Sequence, residues 1–405
     1  MIRWFLFLAV VLLVDFYAYQ SIKTITKNKF IALGYWLLSL FVVVNITYKL
    51  FIFDDSKGLT PSVMLAIGLV FLSFAPKMIT LLVLFSEDIF RLGKTSVNFF
   101  LKTPSKGFLP ERRAFVSKMA LALAVIPFSS VLYGMMRGKY NYQVIKHTLY
   151  FDDLPEAFDG FKITHISDIH SGSFDDAEKI AHGIELINEQ ESEVIFFTGD
   201  IVNNNAEEMI PWMTLFKKLK AKWGKFSVLG NHDYGEYTHW NSEAEKENNF
   251  KAIKDIHPKL GFNLLLNDSI YIEKDNQKMA IIGVENWGTH FKKAGDLKLA
   301  SAKIKKEDFK ILMSHDPSHW ENEVKNHENK YQLTLSGHTH GMQFGIEIPG
   351  LRWSPAQYVY KQWAGIYKEF GNYVNVNRGF GFLAFPGRIG IWPEITVITL
   401  KKKLL

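Results

Sequence analysis

Residues 161–170, FKITHISDIH, join a short apolar run to a D-x-H triplet, and this design recurs down the chain. Five further runs, EVIFFTG (193–199), KFSVLG (225–230), MAIIGV (279–284), FKILMSH (309–315) and YQLTLSG (331–337), are rich in β-branched and aromatic residues and close on or beside glycine or a polar residue. Stretches of helical period separate them, such as DDAEKIAHGIELINEQ (175–190) and EEMIPWMTLFKKLKAK (207–222). Short continuous apolar runs alternating with helices predict buried strands in an α/β layer fold.

The residues just beyond these runs carry the chemistry. In order they are Asp168 and His170, Asp200 in TGDI, Asn231, His232 and Asp233 in GNHD, His315 in SHD, and His338 and His340 in GHTH. Sites in open α/β sheets lie outside the carboxyl ends of the strands, so groups spread over 172 positions are expected to converge. One D-x-H is weak and one GNHD is compatible with a plain turn; five such elements, each at a strand end, are not a coincidence. Carboxylate and amide oxygens mixed with imidazoles, without thiolate, suit Mn, Fe or Zn rather than calcium. Seven candidate ligands exceed the need of one ion and supply two if a carboxylate bridges. Two ions about 3.5–4 Å apart clamp phosphoryl oxygens and generate hydroxide near neutral pH. No G-x-S-x-G, HExxH or P-loop offers a rival chemistry.

The order D-x-H, G-D, G-N-H-D, H, G-H-x-H resembles the calcineurin-like metallophosphoesterase superfamily from about Phe161 to Leu400. Together with the amino-terminal spans, GHTHGMQFG and NRGFG, it is similar to the membrane-anchored bacterial members. The resemblance implies a β-sandwich flanked by helices. It implies that Asp168, His170 and His340 bind one metal, that Asn231, His315 and His338 bind a second, and that Asp200 bridges. It also implies that His232 protonates the leaving alkoxide, with Asp233 orienting it, while hydroxide from the metal pair attacks phosphorus. Where relatives often have two glycines after GHTH, this chain has Gly341, Met342 and Gln343, which bears on the pocket floor. Arg378, in VNVNRGFG, is a candidate for a phosphate oxygen, with a salt bridge as the alternative. His165, His182, His257, His290, His319 and His327 have no partner motif and are read as surface or satisfied core.

The first 136 residues differ in kind. Ile2 to Tyr19, Phe30 to Phe53, Pro61 to Phe85 and Ala114 to Met136 are each near the roughly 20 residues that cross a bilayer core. Arg3 before the first run also fits a signal peptide, but no small-residue cleavage pattern follows. Lys77, beside Pro76 in the third run, is expected to snorkel or to face a neighbouring helix. Lysine and arginine crowd the first and third connections, at Lys23, Lys27, Lys29 and at Arg91, Lys94, Lys102, Lys106, Arg112, Arg113; the second, around Asp54, Asp55 and Lys57, has one. The positive-inside rule then makes the outer side the expected place of everything after Met136. ERRAFVSK before the fourth span resembles a twin-arginine export signal at Arg112, Arg113 and Phe115, the alternative being a cytoplasmic charge anchor.

Residues 1–140 carry net charge +10 and the remainder −4, so the basic balance belongs to the membrane third and nucleic-acid partners are excluded. Zero cysteines exclude disulfides and thiolate zinc sites. The expected organisation is a transmembrane region over 1–136, a link over 137–160 rich in turn residues, and a phosphoesterase domain over 161–405. The expected activity is hydrolysis of a phosphodiester or lipid phosphate. Nucleotide pyrophosphatase or phosphomonoesterase activity and a noncatalytic membrane-bound module are the rivals. A lipid-borne substrate is motivated by 344–392, with 12 aromatics in 49 residues against 15% overall, and by GFGFLAFPGRIGIW within it. The competing reading is that these rings fill the second sheet of the sandwich. Oligomeric state is not legible.

Overall fold

The computed structural model describes residues 2–54, 58–102 and 110–403, with side chains from Leu8 onward. Asp55, Lys57, Lys106 and the side chain of Arg3 lie outside the described residues. The chain forms two compact units, one of residues 1–53 and 62–135 and one of residues 54–61 and 136–405.

The first unit contains α1 (Ile2–Ile25), α2 (Lys29–Phe51), α3 (Pro61–Phe100) and α4 (Pro110–Met136), all long and apolar enough to cross a membrane. The third connection was expected to start at Ser86, yet α3 continues for 40 residues, about 60 Å against a bilayer core of about 30 Å. Charges end an apolar run without ending a helix, and residues 86–100 hold no proline. Lys77 faces its neighbours: its Nζ donates to Asp15 Oδ1 on α1 at 2.5 Å, to Ser39 Oγ on α2 at 2.7 Å and to Ser73 Oγ at 2.8 Å. Arg113 on α4 donates to Glu87 at 2.6 Å and Asp88 at 2.9 Å on α3, and Arg112 lies 3.6 Å from Glu87.

The second unit is a sandwich of two six-stranded sheets. Its strands are β1 (Gln143–Phe151), β2 (Lys162–Ile166), β3 (Val194–Phe197), β4 (Lys225–Ser227), β5 (Phe262–Leu264), β6 (Asp268–Lys274), β7 (Gln277–Gly283), β8 (Lys310–Met313), β9 (Leu333–Ser336), β10 (Ile346–Ile348), β11 (Leu351–Trp353), β12 (Gly365–Glu369), β13 (Asn372–Val376) and β14 (Glu394–Lys402). The sheets run β1-β14-β2-β3-β4-β5 and β12-β13-β9-β8-β7-β6, while β10 and β11 form a separate hairpin. β2 to β5 are mutually parallel, as are β7, β8, β9 and β13.

Residues 137–160 are not a link: β1 pairs in parallel with β14 over nine residues, from Gln143↔Glu394 to Phe151↔Lys402. Its lysine, histidine and threonine disguise an edge strand, of which only Leu149 and Phe151 are buried.

Period-two alternation builds the layers. Val194 and Phe196 of β3 enter the core between the sheets, whereas Ile195 and Phe197 enter the core under α5 (Ala177–Asn188) and α7 (Glu243–Lys259). A short α6 (Met213–Phe216) closes the same face through Phe216. On the second sheet Ile311 and Met313 of β8 face inward and Leu312 faces an outer cluster with Trp320 and Val324. Each such fully buried side chain contributes about 1.5–3 kcal/mol. Phe380 and Phe382 are buried among Tyr140, Tyr142 and Phe174, so this part of the glycine-aromatic stretch is core and not membrane-facing surface.

The Asp15–Lys77 pair generates a test. Lys77→Met strands a buried carboxylate and should cost about 3–5 kcal/mol, whereas Asp15→Leu with Lys77→Met should return stability to the parent level or above. Thermal unfolding of the detergent-solubilised chain measures both; equal losses in the single and double variants would show that the pair is not the determinant.

Candidate metal centre

The loops after β2, β3, β4, β8 and β9 bring all seven expected ligands together. Two groups of convergent side chains result, Asp168, His170 and His340, and Asp200, His315 and His338. In the first, His170 Nε2 and His340 Nε2 are 3.0 Å apart, and Asp168 Oδ1 is 3.3 Å from His340 Nε2. In the second, Asn231 Oδ1 lies 2.8 Å from His338 Nδ1 and 3.2 Å from His315 Nε2. Asp200 Oδ2 lies between them, 3.5 Å from His170 Nε2 and 3.2 Å from His315 Nε2. Buried acceptor atoms this crowded repel unless a cation or protons stand among them, and the mixed oxygen and imidazole set fits borderline divalent ions.

Ring orientation fits the same purpose. His315 Nδ1 donates to the Thr198 carbonyl at 2.6 Å, which turns Nε2 toward the cluster. His338 Nε2 meets the Tyr360 hydroxyl at 2.8 Å, with Asp316 Oδ2 at 3.5 Å, which turns Nδ1 inward. Burial pushes His170 and His338 below the ordinary histidine range, so their neutral, ligating forms are favoured. Burial opposes charge on His315 too, but Asp200 and Asp168 hold it up to about 10.

The backbone is strained where the ligands sit. Asp168, His170, Asp200, His338 and His340 have φ of 50°, 47°, 59°, 71° and 48°, a region non-glycine residues seldom adopt. Gly341 and Met342, the two positions directly after GHTH where relatives often have glycines, share it at 51° and 50°, and Gln343 follows at 56°. Gln343 there fastens the loop over 383–387: its Nε2 donates to the carbonyls of Leu383, Phe385 and Gly387, and its Oε1 accepts from Leu383 N. In NRGFG, a Cβ on Gly381 would strike the Ile169 carbonyl oxygen. That glycine lets the loop pass directly beneath the D-x-H turn.

Two expectations change. Asp233 does not orient His232; its carboxylate accepts from the backbone N–H of Asp200, Ile201 and Gly230 at 2.9, 2.8 and 2.8 Å. Burial and the charge of Asp200 push it up to about 7 against those donors. His232 is held instead by its Nδ1 donating to the Asn203 carbonyl at 2.8 Å, a backbone partner without side-chain signature. Arg378 is buried, with Nη1 committed to Glu394 and Nη2 to Glu347 Oε1 at 2.6 Å, so its charge is already matched by two carboxylates, the salt-bridge alternative. The cation beside the cluster is Arg388, fully buried, whose Nη2 reaches 3.2 Å from His340 Nδ1 while donating to the carbonyls of Arg378 and Gly381. Its signal in the sequence is the arginine of FPGRIG, inside the glycine-aromatic stretch whose rings, and not its cation, draw the eye. Of the unassigned histidines, His165, His257 and His319 are buried and hydrogen-bonded, to Thr198, Ser227 and Ser314.

Residues 2–139 match the family model described as probable calcineurin-like phosphoesterase, transmembrane domain, and residues 161–342 match that described as calcineurin-like phosphoesterase. The metallophosphoesterase YkuE of Bacillus subtilis is 32% identical over 300 residues, 72% of this chain and 97% of its own. A metallophosphoesterase of Helicobacter pylori (strain J99) is 24% identical over 404 residues, 98% of each chain. A transmembrane protein with metallophosphoesterase domain from Danio rerio is 25% identical over 291 residues, 70% of this chain and 62% of its own. By these matches and its four candidate spans, this chain belongs to the calcineurin-like metallophosphoesterases, hydrolases of phosphoric esters, in the form that carries a transmembrane domain.

Proposed function

We propose that the chain is a dinuclear phosphoesterase of the cell membrane, with its catalytic domain on the outer side, acting on a phosphodiester or a lipid-borne phosphate. The observation that carries the dinuclear reading is Asp200 Oδ2, which approaches one imidazole of each group. Asp168, His170 and His340 would hold one cation and Asn231, His315 and His338 the other, both sharing Asp200. When bound, two cations such as Mn, Fe or Zn supply Lewis acidity toward phosphoryl oxygens and a water acidified toward neutral pH.

The protein supplies position and protons. Asp200 Oδ1 accepts from the His232 backbone N–H at 2.8 Å, which fixes the loop bearing the proposed acid relative to the bridging carboxylate. Because His232 Nδ1 is spent on Asn203, the proton for the departing oxygen comes from Nε2. A cavity of about 220 Å³, lined by Phe291, Asp316 and Tyr360 beside His338 and by Asn322 and Lys361 farther out, receives the rest of the ester. Its mixture of aromatic and polar walls favours a substrate with a substantial second substituent over a bare monoester. The outer-side placement rests on the loop charges. The twin-arginine reading of Arg112 and Arg113 rests on sequence, and the same two residues also tie α4 to α3.

Three outcomes are expected. Asp200→Asn should lower occupancy at both sites, seen as loss of more than one metal per chain by elemental analysis. His232→Ala should keep its metals and lose about 10²- to 10⁴-fold in kcat on a poor-leaving-group diester; near-normal turnover there would end its role as acid. Protease added to intact spheroplasts should digest the domain after Tyr140 and spare residues 86–113, and protection of the domain would reverse the orientation. In the same cells, replacing Arg112 and Arg113 by Lys preserves charge, so lost export would identify a receptor-read address and unchanged export would remove it. A panel of phosphomonoesters, phosphodiesters, nucleotide pyrophosphates and lipid phosphates, assayed with Mn, decides among substrate classes.

A further inference from the structure

The hairpin β10–β11 follows three residues after Gln343 and reverses at Pro349 and Gly350, the latter at φ 83°, the backbone a Pro-Gly turn requires. Its pairing sets Ile346 opposite Trp353, Glu347 opposite Arg352 and Ile348 opposite Leu351. Alternation therefore gathers Ile346, Ile348, Leu351 and Trp353 on one face and Glu347 and Arg352 on the other. The charged residues, although exposed, are the ones that contact the domain: Glu347 pairs with Arg378 at 2.6 Å, and Arg352 donates to the Tyr367 hydroxyl at 3.1 Å with its guanidinium 5.0 Å from the Trp363 ring. The apolar face is the one left open, with Ile346, Ile348 and Leu351 exposed at 46%, 59% and 49%. All of β10 and all of β11 except the partly buried Trp353 are exposed, so the hairpin holds its aliphatic side chains in solvent.

The apolar surface is also concentrated. Of thirteen exposed large apolar or aromatic side chains in the described part of the second unit, seven lie between Met342 and Val359. Phe344 and Tyr358 flank the face, Phe344 packing edge-on to Trp353 and the Tyr358 hydroxyl accepting from Trp353 Nε1 at 3.3 Å. Contiguous apolar patches of this kind mark sites of association.

We propose that the β10–β11 hairpin is a bilayer-docking element that seats its apolar face in the headgroup and upper acyl region of the membrane the chain spans. Two observations select this occupant. One residue separates α4, ending at Met136, from the domain's first turn, Gly138–Tyr140, so the hairpin is tethered to a bilayer at high effective concentration. Aromatic side chains with a polar tip, Trp353 and Tyr358, border the aliphatic ones, as at a membrane interface. The hairpin is strutted to the metal centre: Glu347 holds Arg378, whose carbonyl accepts from Arg388, and Arg388 adjoins His340. Docking would thus present the cleft to esters at the headgroup level. It does not depend on which ester is cleaved.

The chain has no cysteine, so Ile348→Cys, Leu351→Cys and, as an aqueous control, Glu307→Cys each give one attachment point for a nitroxide. The full-length labelled proteins, shown to retain parent hydrolysis of a soluble ester, are reconstituted into vesicles of phosphatidylethanolamine and phosphatidylglycerol. Labels at 348 and 351 should shift from contact with a water-soluble nickel chelate to contact with oxygen, while the label at 307 stays nickel-accessible. Nickel accessibility at 348 and 351 equal to that at 307 would overturn the proposal. So would dipolar broadening between labels on separate copies, which would assign the face to a second chain.

Discussion

Five of the seven clustered residues hold their backbones at φ between 47° and 71°, and every other feature of the centre is arranged around that constraint. A left-handed backbone costs an L-residue about 1–2 kcal/mol, and it persists only where the surroundings leave no alternative. Here the alternatives are removed by hydrogen bonds running from loop to loop. Asp168 N donates to the Gly199 carbonyl, His170 N to the Asp200 carbonyl, and His338 N to the Asp168 carboxylate. Asp233, with three backbone donors, clamps the turns after β3 and β4 together. The sharp turns send Asp168 and His170 into one group and divide His338 and His340 between the two.

The strand-end pattern made the fold legible because parallel strands buried on both faces read as continuous apolar runs, and because chemistry collects at one end of them. The seven clustered residues followed from that rule before any geometry. What stayed hidden shares a different cause. β1 looks like a linker because an edge strand needs few buried positions, and its partner is 251 residues away at Glu394. The extension of α3 past Ser86 was hidden because hydropathy marks where a bilayer stops and not where a helix does. Asn203 acts through a carbonyl that every residue possesses. Arg378 and Arg388 look alike in sequence, and only the placement of Glu394 and Glu347 decides that the first is neutralised and the second faces His340.

Polar groups are buried in both units, under different solvents. In the helical unit Asp15, Lys77 and Ser39 draw α1, α2 and α3 together at a point where lipid offers no hydrogen bonds, so the cluster specifies which helix faces pack. In the sandwich Arg378 and Glu394 are equally buried but act as a bracket, fixing the hairpin at one end and β14 at the other.

β14 lies between β1 and β2, parallel to one and antiparallel to the other, and joins them into one sheet. A ribosome has therefore released almost all of the domain before the first sheet can close. The motifs on β2, β3 and β4 emerge early and wait, their loops unsupported by Glu394 and Arg388, until the last strand arrives. Pairing across so long a separation makes closure slow relative to local helix formation. The membrane helices are complete by Met136, so an anchored but unfinished domain is the obligatory intermediate of synthesis. Metal capture, which needs the loops converged, is in consequence a late event in the life of each chain, and damage to the final nine-residue strand would be felt first as a failure to load.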